Sequence, residues 1–343
     1  MSHDLPSRAL PDSGREIQLA SRPHGRPVPQ NFRLAEAGVP GLEEGQLLVR
    51  NAFMSVDPYM RGRMNDSKSY SAPFRLDEAL DGGAVGEVIA SRSDAHKPGD
   101  VVVHQRGWRE YAVVDAAAAT PVPAGLAPHS AFLGALGMTG LTAYAGLLKV
   151  AEFKAGDVVF VSGAAGAVGS IVGQIAKAMG AAKVIGSAGT LEKVERLLEL
   201  GFDAAFNYRD APVLEQLQAA AGEGGIDVYF DNVGGEHLEA ALALMNTGGR
   251  VAMCGAIAQY NSTEPPAAPR NLAVAIGKQL TLRGFLVGGQ RQHAAEFAGR
   301  MAGWLADGTV QYDETIVDGL ENAPQAFIDL LDGANTGKML VRI

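Results

Sequence analysis

Cysteine is almost missing from this chain: Cys254 is the single one in 343 residues. That excludes an internal disulfide framework and any metal site built on several thiolates. Long apolar runs are missing too, since no stretch reaches the roughly 20 residues that a membrane helix requires. The polar opening MSHDLPSRALPDSGRE has no apolar centre of the kind a secretory signal carries. The expectation is a cytoplasmic protein with no membrane partner. Positive charge is in deficit, with 29 basic residues against 38 acidic ones and a net charge of −9, which argues against nucleic acid as a partner.

Glycine, by contrast, is plentiful: 43 residues in a chain that is 47% hydrophobic and 20% charged. This is the composition of a globular protein rich in turns, and its length exceeds what one hydrophobic core usually holds, so two domains are expected. Within residues 1–135, the segments REIQLASRP, QLLVRNAFMSVD, GGAVGEVIASR and GDVVVHQRGWREYAVVD are short, β-rich and broken by turn residues. They predict an antiparallel, barrel-like unit. Across 136–307 the rhythm changes to strand-helix alternation, with DVVFVS, AKVIGS, AAFNY, IDVYFDNVGG, GRVAMCGA and TLRGFLV as the strands. Strands joined by helices in this way predict an α/β fold with a doubly wound parallel sheet. The tail, 308–343, ends in a β-like segment and is expected to return to the first domain. No internal repeat or low-complexity linker interrupts the chain.

The stretch VFVSGAAGAVGSIVGQIAKAMG, residues 159–180, joins the first of those strands to its helix. Val159, Phe160 and Val161 read as a buried strand, whereas Ile171, Ile175 and Met179 recur at helical spacing. Gly180 falls where a helix takes a left-handed residue at its C-terminus. Between them, Ala164, Gly166 and Gly169 occupy the three small positions of a dinucleotide-binding fingerprint. A sharp turn, a close approach of backbone to pyrophosphate and tight helix packing all demand small residues there. The helix N-terminus then offers free N–H groups to phosphate. Close packing alone also uses glycine and alanine, so it is the place of this turn after the first strand that favours the cofactor reading.

In a NAD site an acidic side chain about 20 residues beyond the glycines holds the ribose hydroxyls. The same count from Gly166 reaches Gly186, in VIGSAGTLEKVERL, where no Asp or Glu ends the strand. Small residues leave room there for a 2′-phosphate. Lys193 stands one helical turn further on, with Ser187, Thr190 and Tyr208 as hydrogen-bond donors. NADP is the better fit; the competing reading makes Lys193 a solvated surface lysine beside Glu192 or Glu195.

Through SVDPYMRGRM, GMTGLTAYAGL, GAVGSIVGQIAK, FDNVGGE, CGAIAQYN, GFLV and LLDGANTGK, the sequence resembles the medium-chain dehydrogenase/reductase superfamily over nearly its whole length. Within it, the resemblance is to the zinc-independent prostaglandin reductase and alkenal double-bond reductase branch, which includes bacterial curcumin reductases. The resemblance implies a GroES-like β-rich domain beside a Rossmann domain, NADP(H) as cofactor, and a homodimer. It also implies cofactor contacts at Gly166, Ala167, Val168 and Gly169, and at Lys193 and Tyr208. Further contacts fall at Asn232, Cys254, Gly255 and Tyr260, and at Phe285, Val287 and Asn335. Zinc-dependent members hold their metals with cysteine, histidine and acidic ligands, and this chain has neither of their ligand sets. No metal is expected. Two departures bear on the pocket: Gly288, Gly289 and Gln290 stand where some relatives carry a bulky aromatic, which predicts a more open substrate wall. Gly163 replaces the branch's usual alanine, which should be a mild change.

Without a Lewis acid, reduction of a carbon–carbon double bond conjugated to a carbonyl asks least of the protein. It must orient the enone and give hydrogen bonds to the carbonyl oxygen as charge moves onto it. A phenol suits that role, because it stays protonated at neutral pH. Tyr260, just after the fifth strand of the second domain, is the first choice, and Tyr70, in the loop NDSKSYSAPF, the second. Tyr59 is the third. In the plainer reading Tyr260 packs against the nicotinamide ribose and Tyr70 is a loop aromatic. His104 and His129 read as partly exposed loop residues, and Cys254 as a small packing residue beside the cofactor. The favoured substrate is an α,β-unsaturated aldehyde or ketone. Two alternatives stay open: NADPH-dependent quinone reduction, and a non-catalytic NADPH-binding protein of crystallin type.

Overall fold

The computed structural model describes residues 10–343, so the polar stretch 1–9 lies outside it. In chain order the first strands are β1 (Ser13–Leu19), β2 (Phe32–Gly38), β3 (Gln46–Ser55), β4 (Ala84–Ser91), β5 (Val101–His104), β6 (Tyr111–Asp115) and β7 (Thr120–Pro121). β1 and β2 form an antiparallel ribbon, paired from Ser13 opposite Gly38 to Leu19 opposite Phe32. β2 carries no clean alternation, and Leu34 is exposed on it; its strand state comes from pairing with β1. The stretch 101–115, read from sequence as one segment, is two strands. The chain turns between them at Trp108, which adopts a positive φ of 60° and is fully buried.

The next six strands are β8 (Val158–Val161), β9 (Lys183–Ala188), β10 (Ala204–Asn207), β11 (Ile226–Asp231), β12 (Met245–Met253) and β13 (Thr281–Gly284). They form one parallel sheet in the order β10-β9-β8-β11-β12-β13, so the strand order reverses between β8 and β11. Alternation with period two buries both faces: Val159, Val161, Val228 and Phe230 join one apolar cluster, whereas Phe160 and Tyr229 join the opposite one. This is the doubly wound Rossmann sheet that the alternation of strand and helix predicts, beside a GroES-like β-rich unit.

The last strands, β14 (Glu314–Asp318) and β15 (Lys338–Arg342), do not extend the parallel sheet. They pair with each other, and β15 pairs antiparallel with β3, giving the sheet order β14-β15-β3-β4-β5-β7 with β6 also on β3. The helix Ala323–Leu331 between them sends Phe327 against Phe32 and Trp108, with each pair of ring centroids 6.2 Å apart. An aromatic cluster of this kind fixes the tail on the first β-rich unit by burial and ring geometry together. Among the described residues, no helix is long and apolar enough to cross a membrane.

Candidate active site

A cleft of about 1080 Å³ runs along the carboxyl ends of the parallel strands and is closed on its other side by the segment that follows β3. Ligands of doubly wound sheets bind at this edge, where the strand order reverses. After β8 the chain turns at Gly163, φ +57°, and enters helix α1, which we define as Gly169–Ala178. A Cβ on Gly169 would stand 2.6 Å from the Gly163 carbonyl oxygen and 2.7 Å from the Ala164 Cα, so only glycine lets the helix start this close to the strand. Gly166, Ala167 and Val168 face the cleft beside it. From the other strand of the crossover, the Asn232 side chain donates to the Ser162 carbonyl at 2.8 Å and is held at the cleft wall. Asn335 is fixed likewise, donating to Gly337 O at 2.7 Å.

At the far end, a Cβ on Gly186 would lie 2.9 Å from Phe202 and 3.0 Å from both Ala164 and Leu197. Gly186 therefore packs into the core, and β9 runs on to Ala188, which lines the cleft with no Asp or Glu at the strand end. Helix α2, Leu191–Glu199, places Lys193 in the cleft, and its ammonium donates to the Gly333 carbonyl at 2.5 Å rather than to Glu192 or Glu195. Burial lowers the Lys193 pKa, and the neighbouring Arg209 lowers it further. Tyr208 lies over Gly189, with the Arg209 guanidinium 5.6 Å from its ring centroid. A polyanion is what two crowded cations beside a phenol can hold. Two expected donors are corrected: Ser187 is fully buried away from the cleft, and the Thr190 hydroxyl caps α2 by accepting from Lys193 N at 3.3 Å.

The opposite end of the cleft is walled by the chain between β3 and β4. Buried Arg61 donates to Gly25 O at 3.0 and 2.7 Å and to Asn65 at 2.7 Å. Arg63 donates to Ala72 O at 2.9 Å and lies 4.0 Å over the Phe74 ring. These two arginines clamp both ends of the loop that carries Tyr70, which is 62% exposed at the rim. Tyr70 faces Tyr260 and Cys254, both of which raise its pKa after partial desolvation. Tyr59 faces Tyr70 in turn, and burial raises its pKa strongly, with Asp57 adding to the effect. The Tyr260 hydroxyl accepts from Ala256 N at 3.3 Å, and burial raises its pKa as well. All three phenols are therefore protonated at neutral pH. Burial, then Asp231, pushes the Cys254 thiol up to about 12, so it is a packing group here and not a thiolate.

Phe285, Val287 and Gly255 complete the wall, and a Cβ on Gly288 or Gly289 would meet nothing within 4 Å, in keeping with an open substrate side. His129 is exposed. His104 is not the partly exposed loop residue read from sequence: it ends β5, is 1% exposed, and accepts from Arg106 N at 3.0 Å. Several cleft residues were missed from sequence, among them Arg209, Arg63, Thr139 and His237. Arg209 was adjacent to a named residue, and Arg63 and Thr139 lie within the motifs SVDPYMRGRM and GMTGLTAYAGL; His237 had no pattern to mark it. Among the described residues, no group of three or more His, Cys, Asp or Glu side chains could hold a metal ion.

A fingerprint turn, a cationic end and a phenol-lined end in one cleft define a nucleotide-dependent oxidoreductase. Residues 15–122 match the family described as the N-terminal domain of oxidoreductase, and residues 167–305 that described as zinc-binding dehydrogenase. The NADPH-dependent curcumin reductase of Escherichia coli (strain K12) is 43% identical over 339 residues, 96% of each chain. Prostaglandin reductase 1 of Rattus norvegicus is 41% identical over 325 residues, 93% of this chain and 95% of that one. The crystal structure of CurA from Vibrio vulnificus in complex with NADPH superposes with a TM-score of 0.91 at 43% identity, covering 96% of this chain and 98% of that one. The chain belongs to the medium-chain dehydrogenase/reductase superfamily, in its zinc-independent prostaglandin and curcumin reductase branch.

Proposed function

We propose that this protein is an NADPH-dependent reductase that saturates the carbon–carbon double bond of α,β-unsaturated aldehydes and ketones. The cofactor is NADP(H), in keeping with the glycine-only approach at Gly169, the lack of an acidic residue at the end of β9 and the Lys193–Arg209 pair. Residues 136–307 act as its binding domain; residues 1–135 with the return 308–343 form the substrate domain. The observation that carries the proposal is the convergence of Tyr59, Tyr70 and Tyr260 on one mostly apolar cleft.

When bound, NADPH supplies the hydride that the substrate's β-carbon accepts. The π electron pair of the double bond then shifts, and the carbonyl oxygen takes the enolate charge. Tyr260, with its phenol protonated and its ring half-buried, donates a hydrogen bond to that oxygen. Tyr70, at the solvent-exposed rim, relays a proton from water to the α-carbon, and the carbonyl re-forms. The apolar walls exclude water around the developing charge, which strengthens each donor.

The working form we propose is a cytoplasmic homodimer. It is supported by the open edge of the parallel sheet at β13 and by the exposed apolar side chains beside it, with Ile276 at 82% exposure and Leu286 at 50%. The test of the activity is NADPH consumption across 2-alkenals and alkenones of graded length with a small quinone alongside, and identification of the product. Saturated carbonyl products are expected. Turnover confined to the quinone would replace the proposal with quinone reduction.

A further inference from the structure

His237 stands in the first turn of the helix Gly235–Leu244, whose N-cap Gly234 and first residue Gly235 both have positive φ. Its ring lies parallel to Phe160, at 6.5 Å and 8°, and edge-on to Tyr208, at 5.3 Å and 74°. It lines the cofactor cleft, is 5% exposed, and its Nε2 is buried without a hydrogen-bond partner. Such an atom costs free energy unless something in the working complex meets it. Burial alone drives the pKa of this imidazole down to about 4, so at neutral pH one ring nitrogen donates and the other accepts. A half-turn of the ring exchanges which nitrogen faces the cleft.

The neighbour that locates this histidine is Tyr208. Together with Lys193 and Arg209 it forms the cationic end of the cleft, and the 2′-phosphate that such an end holds is attached to the adenosine ribose of NADP(H). A ring in edge contact with Tyr208 therefore belongs to the adenosine half of the cofactor. Of that half, the base is the part that is flat, apolar on its faces and equipped with its own amino donor. We infer that His237 reads the adenine base, with a ring nitrogen accepting from its exocyclic amino group. This rests on the NADP(H) assignment and is independent of which carbonyl compound is reduced.

The test is equilibrium binding, followed by nicotinamide fluorescence, of NADPH and of its purine analogue, in which a hydrogen atom replaces that amino group and leaves no donor or acceptor for the ring to meet. The wild type should bind NADPH more tightly by about fivefold to tenfold, the worth of one hydrogen bond. His237→Phe keeps the aromatic stack and should bind both nucleotides alike; His237→Gln keeps an acceptor and should restore part of the preference. Equal affinities in the wild type, or an undiminished preference in His237→Phe, would overturn the inference. Should His237→Phe fail to show a cooperative melt, the wild-type ratio and the Gln variant decide. If the wild type bound neither nucleotide, the cofactor assignment itself would fall, and this inference with it.

Discussion

The Lys338 ammonium lies 3.1 Å from the Asp57 carboxylate, and both side chains are almost wholly buried. Lys338 also donates to Val56 O at 2.9 Å and Met339 O at 3.0 Å, while the Ser55 hydroxyl donates to the other Asp57 oxygen at 2.5 Å. One residue earlier, Gly337 N donates to Ala165 O in the fingerprint turn at 2.8 Å. Two successive residues of the returning tail therefore tie the cofactor turn to the segment that leads into Tyr59. Gly337 has φ +66°, and a Cβ there would lie 1.9 Å from Asp313 O, so the join leaves no room for another side chain.

Removing one partner of a buried, hydrogen-bonded pair strands the other charge, which costs about 3–5 kcal/mol. Lys338→Met should lower the unfolding free energy by that amount in urea titration. The double variant Asp57→Asn, Lys338→Met should recover part of the loss, because no charge is then left unpaired. A Lys338→Met protein as stable as wild type would show that the pair carries no such strain.

Cofactor choice follows from the cationic end of the cleft. Lys193→Ala should weaken NADPH binding by about one to two decades, the worth of one charged hydrogen bond of about 1.5–3 kcal/mol, and leave NADH almost unchanged. Arg209→Ala should shift the same ratio in the same direction. Titration of both nucleotides against both variants measures it, and equal use of NADH and NADPH by the wild type would remove the assignment.

Acid stability should reflect two buried histidines. His104 and His237 both have pKa values lowered to about 4, by burial first and, for His104, by Arg109 and Arg106 as well. The unfolded chain takes up these protons near pH 6.5, whereas the native state resists them until about pH 4. The sign is therefore a stability fully present above about pH 6.5 and lost as pH falls toward 4, by about 3 kcal/mol for each histidine. Urea midpoints measured from pH 7.5 to 4.5 should fall for wild type, and fall less for His104→Gln once its own neutral-pH loss is subtracted. A parallel fall in both would assign the acid sensitivity to other groups.

The parts of the fold set by period were legible from the chain alone. The six parallel strands and the small residues at 164, 166 and 169 carry their own pattern, because a doubly buried strand and a backbone touching phosphate each restrict residue type. β2 escaped notice because it is held by its partner β1 and not by alternation, and the mostly polar stretch 105–110 around Trp108 separates two strands that read as one segment. In the cleft, the tyrosines could be named because a phenol in a loop near a strand end stands out. His237 could not, since its meaning lies in Phe160 and Tyr208, which reach it across the sheet from distant positions. Ser187 misled for the converse reason: its place at a strand end was right, but its side chain turns into the core.

Tyr260 and Tyr70 are the pair on which the proposed chemistry is tested. Tyr260 is the more buried of the two, and its hydroxyl meets only the weakly placed Ala256 N at 3.3 Å, so its proton is free to reach a substrate oxygen. Tyr260→Phe keeps the ring and removes that donor. Losing one preorganised donor from a water-poor site costs about 2.7–4 kcal/mol, or roughly 100-fold to 1000-fold in kcat, with NADPH affinity nearly unchanged. Tyr70→Phe should cost less in kcat, because water at the exposed rim can deliver the proton by another path, and the variant should show a larger solvent deuterium isotope effect on kcat as the proton step becomes slower. Stopped-flow single turnovers separate the two: Tyr260→Phe should slow NADPH oxidation itself, whereas Tyr70→Phe should slow the proton step that follows it. If Tyr260→Phe, Tyr70→Phe and the double variant all kept full turnover, neither phenol would touch the reacting oxygen, and both would be packing residues of the cleft.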